Sequence, residues 1–177
     1  FSVPATDLEE ILARNCHISD TARAARFCRQ AEQARYFCKD IHYPDVPLHT
    51  PTFDTTLLSA HIRPGHVMLI DCWASWCGPC RAAIPAVKAL YDKYDRDRFD
   101  VISISLDSKK EDWQKALEEE KMPWPQFIAG NRGYEQLTLR YNINSIPNLI
   151  LIDDKGQVVC NTFSPEEISI ELEEILR

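Results

Sequence analysis

Two apolar runs decide most of what this chain can become. Val67-Met68-Leu69-Ile70 is continuous and stops at Asp71, and Val101-Ile102-Ser103-Ile104-Ser105-Leu106 follows about thirty residues later. A strand wetted on one face alternates apolar and polar residues, whereas a strand covered on both faces reads as an apolar run. The first run therefore predicts a buried central strand, and the second, apolar at Val101, Ile102, Ile104 and Leu106 with serines between, is read as a second buried strand. Helical stretches are expected over 78–94, 109–121 and 133–141, with a short extended piece from Trp124 to Ile128. Asn148–Ile152 and Gln157–Phe163 flank Asp153-Asp154-Lys155-Gly156, which predicts a β-hairpin. Ser164-Pro165-Glu166-Glu167 reads as a helix start, with a cap, then proline, then acids. Strands, crossover helices and a terminal hairpin imply an α/β fold, a mixed sheet flanked by helices on both sides.

The first third of the chain is of another kind. Residues 6–40 predict two helices, the second with an apolar stripe of Phe27, Ala31, Ala34, Cys38 and Ile41. Pro44, Pro47, Pro51 and Pro64 then mark an extended connection, with a short edge strand expected near Phe53 and Leu57–Leu58. The expected division is a helical extension and linker over 1–47 and a folded domain over 48–177. A chain of 177 residues with 27 acidic and 20 basic side chains, net charge −7, argues against a nucleic-acid partner, which needs a basic face. No apolar run approaches the roughly 20 residues that cross a bilayer. The chain opens on Phe1 with no charged-then-apolar leader, so it is expected to be processed or cut from a longer protein.

Seven cysteines stand at 16, 28, 38, 72, 77, 80 and 160, an odd number that cannot all pair internally. Their chemistry concentrates in Asp71-Cys72-Trp73-Ala74-Ser75-Trp76-Cys77-Gly78-Pro79-Cys80-Arg81, where a strand ends and a helix begins. Two thiols three residues apart at a helix opening can close a small disulfide ring. The backbone N–H groups and helix dipole stabilise a thiolate on the first. A thiol of pKa about 8.5 is about 3% ionised at pH 7, and lowering that pKa to about 7 makes it half ionised. Cys77 is thus the expected nucleophile and Cys80, one turn into the helix, the resolving thiol.

These residues resemble the thioredoxin superfamily. Trp-Cys-Gly-Pro-Cys is its active-site pentapeptide, Pro85 stands where the family kinks its active-site helix, and Ser145-Ile146-Pro147 resembles its cis-proline loop. The longer Trp-Ala-Ser-Trp-Cys-Gly-Pro-Cys-Arg, the Ile84-Pro85 step and the additional helix and strand of 109–128 look most like the exported TlpA/ResA-type branch. The resemblance covers about residues 48–177 and implies a thioredoxin-like domain there. It implies catalytic roles for Cys77, Cys80, the buried Asp71 as proton acceptor, and Pro147 beside the disulfide. Trp76, Gly78, Pro79 and the Ile146 backbone would meet the substrate. It further implies protein disulfides as substrates, an upstream thiol electron donor, no cofactor, and a bacterial periplasmic setting with room for a membrane tether in a leader absent from this chain.

Other readings of the same residues lead elsewhere. A zinc site would need a second ligand pair, and His17, His42, His49, His61 and His66 are scattered upstream. Cys72, Cys77 and Cys80 share the C-x4-C-x2-C opening of [2Fe–2S] sites, but Cys72 falls in the buried strand. A thiol peroxidase of the neighbouring peroxiredoxin type would carry threonine where Ala74 stands. A partner-binding module with a structural Cys77–Cys80 bond would show a buried Cys77. Asp71 read as a strand-end cap, Pro147 as a turn residue and Trp76 as packing are the plain alternatives to their functional roles. Trp73, Trp113 and Trp124 read as packing. Cys28 and Cys38, about 15 Å apart along one helix, are beyond disulfide reach. With Cys16, Cys72 and Cys160 they read as packing thiols, which fit an oxidising compartment only if buried.

Overall fold

A computed structural model of the chain describes residues 41–177 apart from Pro44 and Asn142. The two helices expected over 6–40, with Cys16, Cys28 and Cys38, lie outside the described residues. Among the described residues eight strands form one mixed sheet: β1 (Ile41–His42), β2 (Pro47–His49), β3 (Thr55–Leu57), β4 (Val67–Trp73), β5 (Phe99–Ser105), β6 (Gln126–Ile128), β7 (Asn148–Ile152) and β8 (Gln157–Thr162). Their spatial order is β1-β8-β7-β4-β5-β6-β2-β3. Among the described residues the helices are α1 (Gly78–Lys93), α2 (Lys110–Glu120), α3 (Gly130–Tyr141) and α4 (Pro165–Ile175).

The apolar runs form the centre. β4 pairs in parallel with β5, from Val67 opposite Phe99 to Trp73 opposite Ser105, and antiparallel with β7. All seven residues of β4 are buried. Its side chains alternate between the two faces. Val67 and Leu69 meet Val87 and Leu90 of α1 and Ile168 and Leu172 of α4. Trp73 meets Cys77, Cys80 and Ile84, with Trp113 and Ala116 of α2. Met68, Ile70 and Cys72 turn to the opposite face, where Leu137 and Tyr141 of α3 cover them.

The local chemistry fixes the ends. Ser164 caps α4 by accepting from the Glu167 N–H at 3.3 Å, and Pro165 sits in the first turn. In the β7–β8 hairpin, Asp153 accepts from the Lys155 and Gln157 N–H groups, and Gly156 takes φ +81°. Gly133 lets α3 approach β2, since a Cβ there would meet the Pro47 carbonyl oxygen at 2.6 Å.

The proline-rich connection is more ordered than its composition suggests. β2 and β3 form an antiparallel pair, and His49 of β2 pairs with Ile128 of β6. The expected edge strand occupies Thr55–Leu57. Phe53 lies in the preceding turn at φ +69°, and Leu58 opens a 3-10 turn. β1 joins the sheet through β8, and Val46 is fully buried, so chain upstream of residue 48 contributes to both sheet and core.

Candidate active site

The junction of β4 and α1 builds the site. Cys77 is the N-cap of α1, extended at φ −86° and ψ 94°, and its sulfur accepts the Cys80 N–H at 3.2 Å. Pro79, in the first turn, has no N–H to leave unpaired. Cys77 and Cys80 are joined by a disulfide, S–S 1.99 Å and Cα–Cα 5.3 Å. Once the bond is reduced, the same N–H and the positive helix end face a Cys77 thiolate. Cys77 is 5% exposed and Cys80 3%, while Trp76 beside them is 68% exposed and Gly78 and Pro79 are also at the surface. The bond therefore lies just beneath an exposed rim.

Asp71 shares the α1-facing side of β4 with Leu69 and Trp73 and is 4% exposed. Its Oδ2 accepts from the Ser103 hydroxyl at 2.8 Å, and that hydroxyl oxygen accepts from Trp124 Nε1 at 2.8 Å. Loss of water around the carboxylate pushes its pKa up to about 6, against the opposing pull of the Ser103 hydrogen bond. A carboxyl group of this kind takes up or releases a proton near neutrality. Cys72 faces the other way, into the α3-covered core. Burial first, and the Asp71 charge second, push its thiol far up, so it stays protonated and is no nucleophile at neutral pH.

The Ile146–Pro147 peptide is cis. Ile146 packs against the core cluster of the disulfide and against the α3-side cluster. It also lines a mainly apolar groove of about 270 Å³ with Trp76, Leu106, Tyr134, Ile143, Asn144 and Ser145. The structure thus brings Trp76 and Ile146 together in one groove. Gly78, Pro79 and Pro147 are not among its lining residues. Leu106 and Tyr134 escaped the sequence reading because each continues a core pattern, Leu106 at the end of an apolar run and Tyr134 at helical spacing from Leu137 and Tyr141.

Asp107, 4% exposed, likewise carries no signature in the sequence. Its carboxylate accepts from the Ser75 N–H at 2.9 Å, the Ser75 hydroxyl at 2.6 Å and the Ser105 hydroxyl at 2.7 Å. The neighbouring Leu106 N–H donates to the Trp73 carbonyl at 2.8 Å. Farther along α1, Arg81 pairs with Glu119 at 2.7 Å and Glu120 at 2.5 Å, tying the helix to α2. Among the described residues no group of three or more His, Cys, Asp or Glu side chains is placed to hold a metal ion. None of the helices described is long and apolar enough to cross a membrane.

Known proteins resemble this chain in sequence and fold. The chain is 26% identical over 133 residues to the thiol-disulfide oxidoreductase ResA of Geobacillus kaustophilus, covering 71% of this chain and 75% of that protein. It is 24% identical over 104 residues to the sporulation thiol-disulfide oxidoreductase A of Bacillus subtilis, covering 57% of this chain and 61% of that one. The thioredoxin domain of a Bacteroides vulgatus thiol-disulfide oxidoreductase superposes with a TM-score of 0.71 at 24% identity, over 79% of this chain and 99% of that domain, a likeness of fold. A sequence profile described as Thioredoxin-like matches residues 65–158, from the start of β4 into the final hairpin and so across the disulfide, Asp71 and the cis-proline loop. With more than half of its length matched by that profile, this chain belongs to the thioredoxin-like family.

Proposed function

We infer that the protein is a thiol-disulfide oxidoreductase that reduces protein disulfides through the Cys77/Cys80 dithiol. The observation that carries this reading is the Cys77–Cys80 bond at the N-terminus of α1, under the exposed Trp76 rim and next to the groove lined by Ile146. In the first step the Cys77 thiolate attacks one sulfur of a substrate disulfide. The substrate S–S bond breaks, a mixed disulfide forms and one substrate thiolate leaves. In the second step Asp71 takes the Cys80 proton, directly or through water, and the Cys80 thiolate attacks the Cys77 sulfur. The second substrate sulfur leaves, and Cys77–Cys80 is oxidised. Two electrons pass to the substrate, and an upstream dithiol donor returns them. The Gly78-Pro79 dipeptide favours the reducing direction by its resemblance to reducing relatives, and Ile146 offers its backbone to an extended substrate strand. The resemblance of the Trp73–Arg81 segment to the exported TlpA/ResA-type branch is what supports an exported, periplasmic place of work.

One observation favours a second reading, a binding module with a structural disulfide: Cys77 is only 5% exposed. The exposed Trp76, Gly78 and Pro79 around it weigh toward the redox reading. Insulin reduction separates the two. Cys77→Ser should abolish turnover, and Cys80→Ser should accumulate a mixed disulfide visible on a non-reducing gel. Turnover of Cys77→Ser at the wild-type rate, or a wild-type bond that dithiothreitol leaves intact in the folded protein, would overturn the redox reading.

A further inference from the structure

We propose that Asp107 is a positioning residue that sets the Trp76–Cys77 rim against the peptide groove; this rests on the disulfide-exchange reading above. Between β4 and α1 the chain must turn from a buried strand to a helix in four residues, Ala74 to Cys77. That turn has little internal bonding of its own: Cys77 N–H donates to the Ala74 carbonyl at 3.0 Å. It is held from outside by the segment that follows β5. Asp107 grips Ser75 twice, through its N–H and its hydroxyl, with one carboxylate oxygen on each. The Leu106 N–H holds the Trp73 carbonyl two residues earlier.

The grip is itself fixed. Asp107 Oδ2 also accepts from the Ser105 hydroxyl, and the Ser105 oxygen accepts the Asp107 N–H at 3.0 Å, so the carboxylate has little freedom to swing. A buried carboxylate accepting three hydrogen bonds is a stiff anchor, because releasing any donor strands a polar group away from water. The two residues on either side of the anchored serine have different tasks. Ala74 is fully buried against Trp73, and Trp76 is turned out as a wall of the groove. Leu106, adjacent to the anchor, lines the same groove. One short segment thereby lines the groove through Leu106 and, through Ser75, fixes the turn that carries Trp76 into it. The proximity of Cys77 to a strand lying in that groove depends on Ser75 staying put.

The consequence separates two kinds of substrate. A small aromatic disulfide such as dithionitrobenzoate needs only the Cys77 sulfur. A peptide disulfide must lie between Trp76 and Ile146 before its sulfur reaches Cys77. In Asp107→Asn the amide keeps the shape but replaces one acceptor oxygen by a donor facing the Ser75 or Ser105 donors. Its kcat/KM for a peptide disulfide should fall at least tenfold, mainly through KM, while the rate constant with dithionitrobenzoate falls less than threefold. Ser75→Ala, which keeps the N–H grip and loses only the hydroxyl, should show the same selectivity at about threefold. It carries the test if the asparagine variant does not fold. Equal losses on both substrates, or no loss on the peptide, in the folded variants would overturn the positioning role. If wild-type protein reduces neither substrate, the oxidoreductase reading itself is what fails.

Discussion

Asp71 and Asp107 are two carboxylates with the same 4% exposure, one within β4 and one just past the end of its neighbour β5. Asp71 accepts one hydrogen bond, from Ser103, amid the apolar residues beneath α1, and desolvation dominates its pKa. Asp107 accepts three, two of them from the single residue Ser75. Burial alone therefore does not assign a role to a carboxylate. A poorly solvated group with few donors is suited to hold a proton, and one saturated with donors is suited to hold a loop.

The difference should first appear as opposite signs in stability. Asp107→Ala leaves the Ser75 N–H, the Ser75 hydroxyl and the Ser105 hydroxyl without their acceptor, and each orphaned buried group costs about 1–3 kcal/mol. Urea unfolding of the variant should show a loss of about 3–5 kcal/mol with an unchanged m-value. A loss under about 1 kcal/mol would mean that water replaces the carboxylate and that the anchor is weaker than its geometry.

What the sequence disclosed follows the range of the interaction. β4, β5, the hairpin and the start of α4 were legible because Val67–Ile70, Val101–Leu106, Asp153–Gly156 and Ser164–Glu167 are local signals. The Cys77–Cys80 bond was legible for the same reason, its cysteines being three residues apart, and the burial of Asp71 and the cis Ile146–Pro147 peptide through family resemblance. Of the Pro47–Leu57 hairpin only the edge strand near Leu57 was legible; its partner Pro47–His49 was not, because a strand of three residues is too short to show a period and Pro47 hides at the strand's first position, where its missing N–H is tolerated. Asp107 was illegible because its partner Ser75 lies 32 residues away, and an aspartate after an apolar run is an ordinary strand end. Only the parallel pairing of β4 with β5, which sets Trp73 opposite Ser105, makes those two loops neighbours.

Asp71→Asn should move stability in the other direction, and only on one side of the titration. The folded pKa is raised to about 6 from a normal value near 3.8, so the native state binds more protons between those values. Its stabilising effect is complete below about pH 4 and is lost as pH rises through about 6, a difference on the order of 3 kcal/mol. Asparagine cannot ionise. The stability of the variant relative to wild type should therefore rise by about 2–3 kcal/mol from pH 4 to pH 7.5. In the same variant, resolution of a preformed Cys77 mixed disulfide should slow and lose its inflection near pH 6. A stability difference flat with pH would show that Asp71 is not the desolvated acid that its burial makes it.

Ser103→Ala gives the smallest effect and the finest test. Ser103 donates the hydrogen bond that favours the Asp71 anion and at the same time accepts from Trp124 Nε1. Removing it should cost about 1–2 kcal/mol, much of that from the indole N–H left unpaired. The Asp71 titration should also move upward from about 6, because the bond now opposing desolvation is gone. The inflection in the resolution rate should follow it, while the selectivity between peptide and small disulfides, which depends on Asp107, should not change. A downward shift would mean that the hydroxyl favours the protonated carboxyl. A changed selectivity would mean that the two carboxylates are coupled through β5 and do not divide the work of proton transfer and positioning between them.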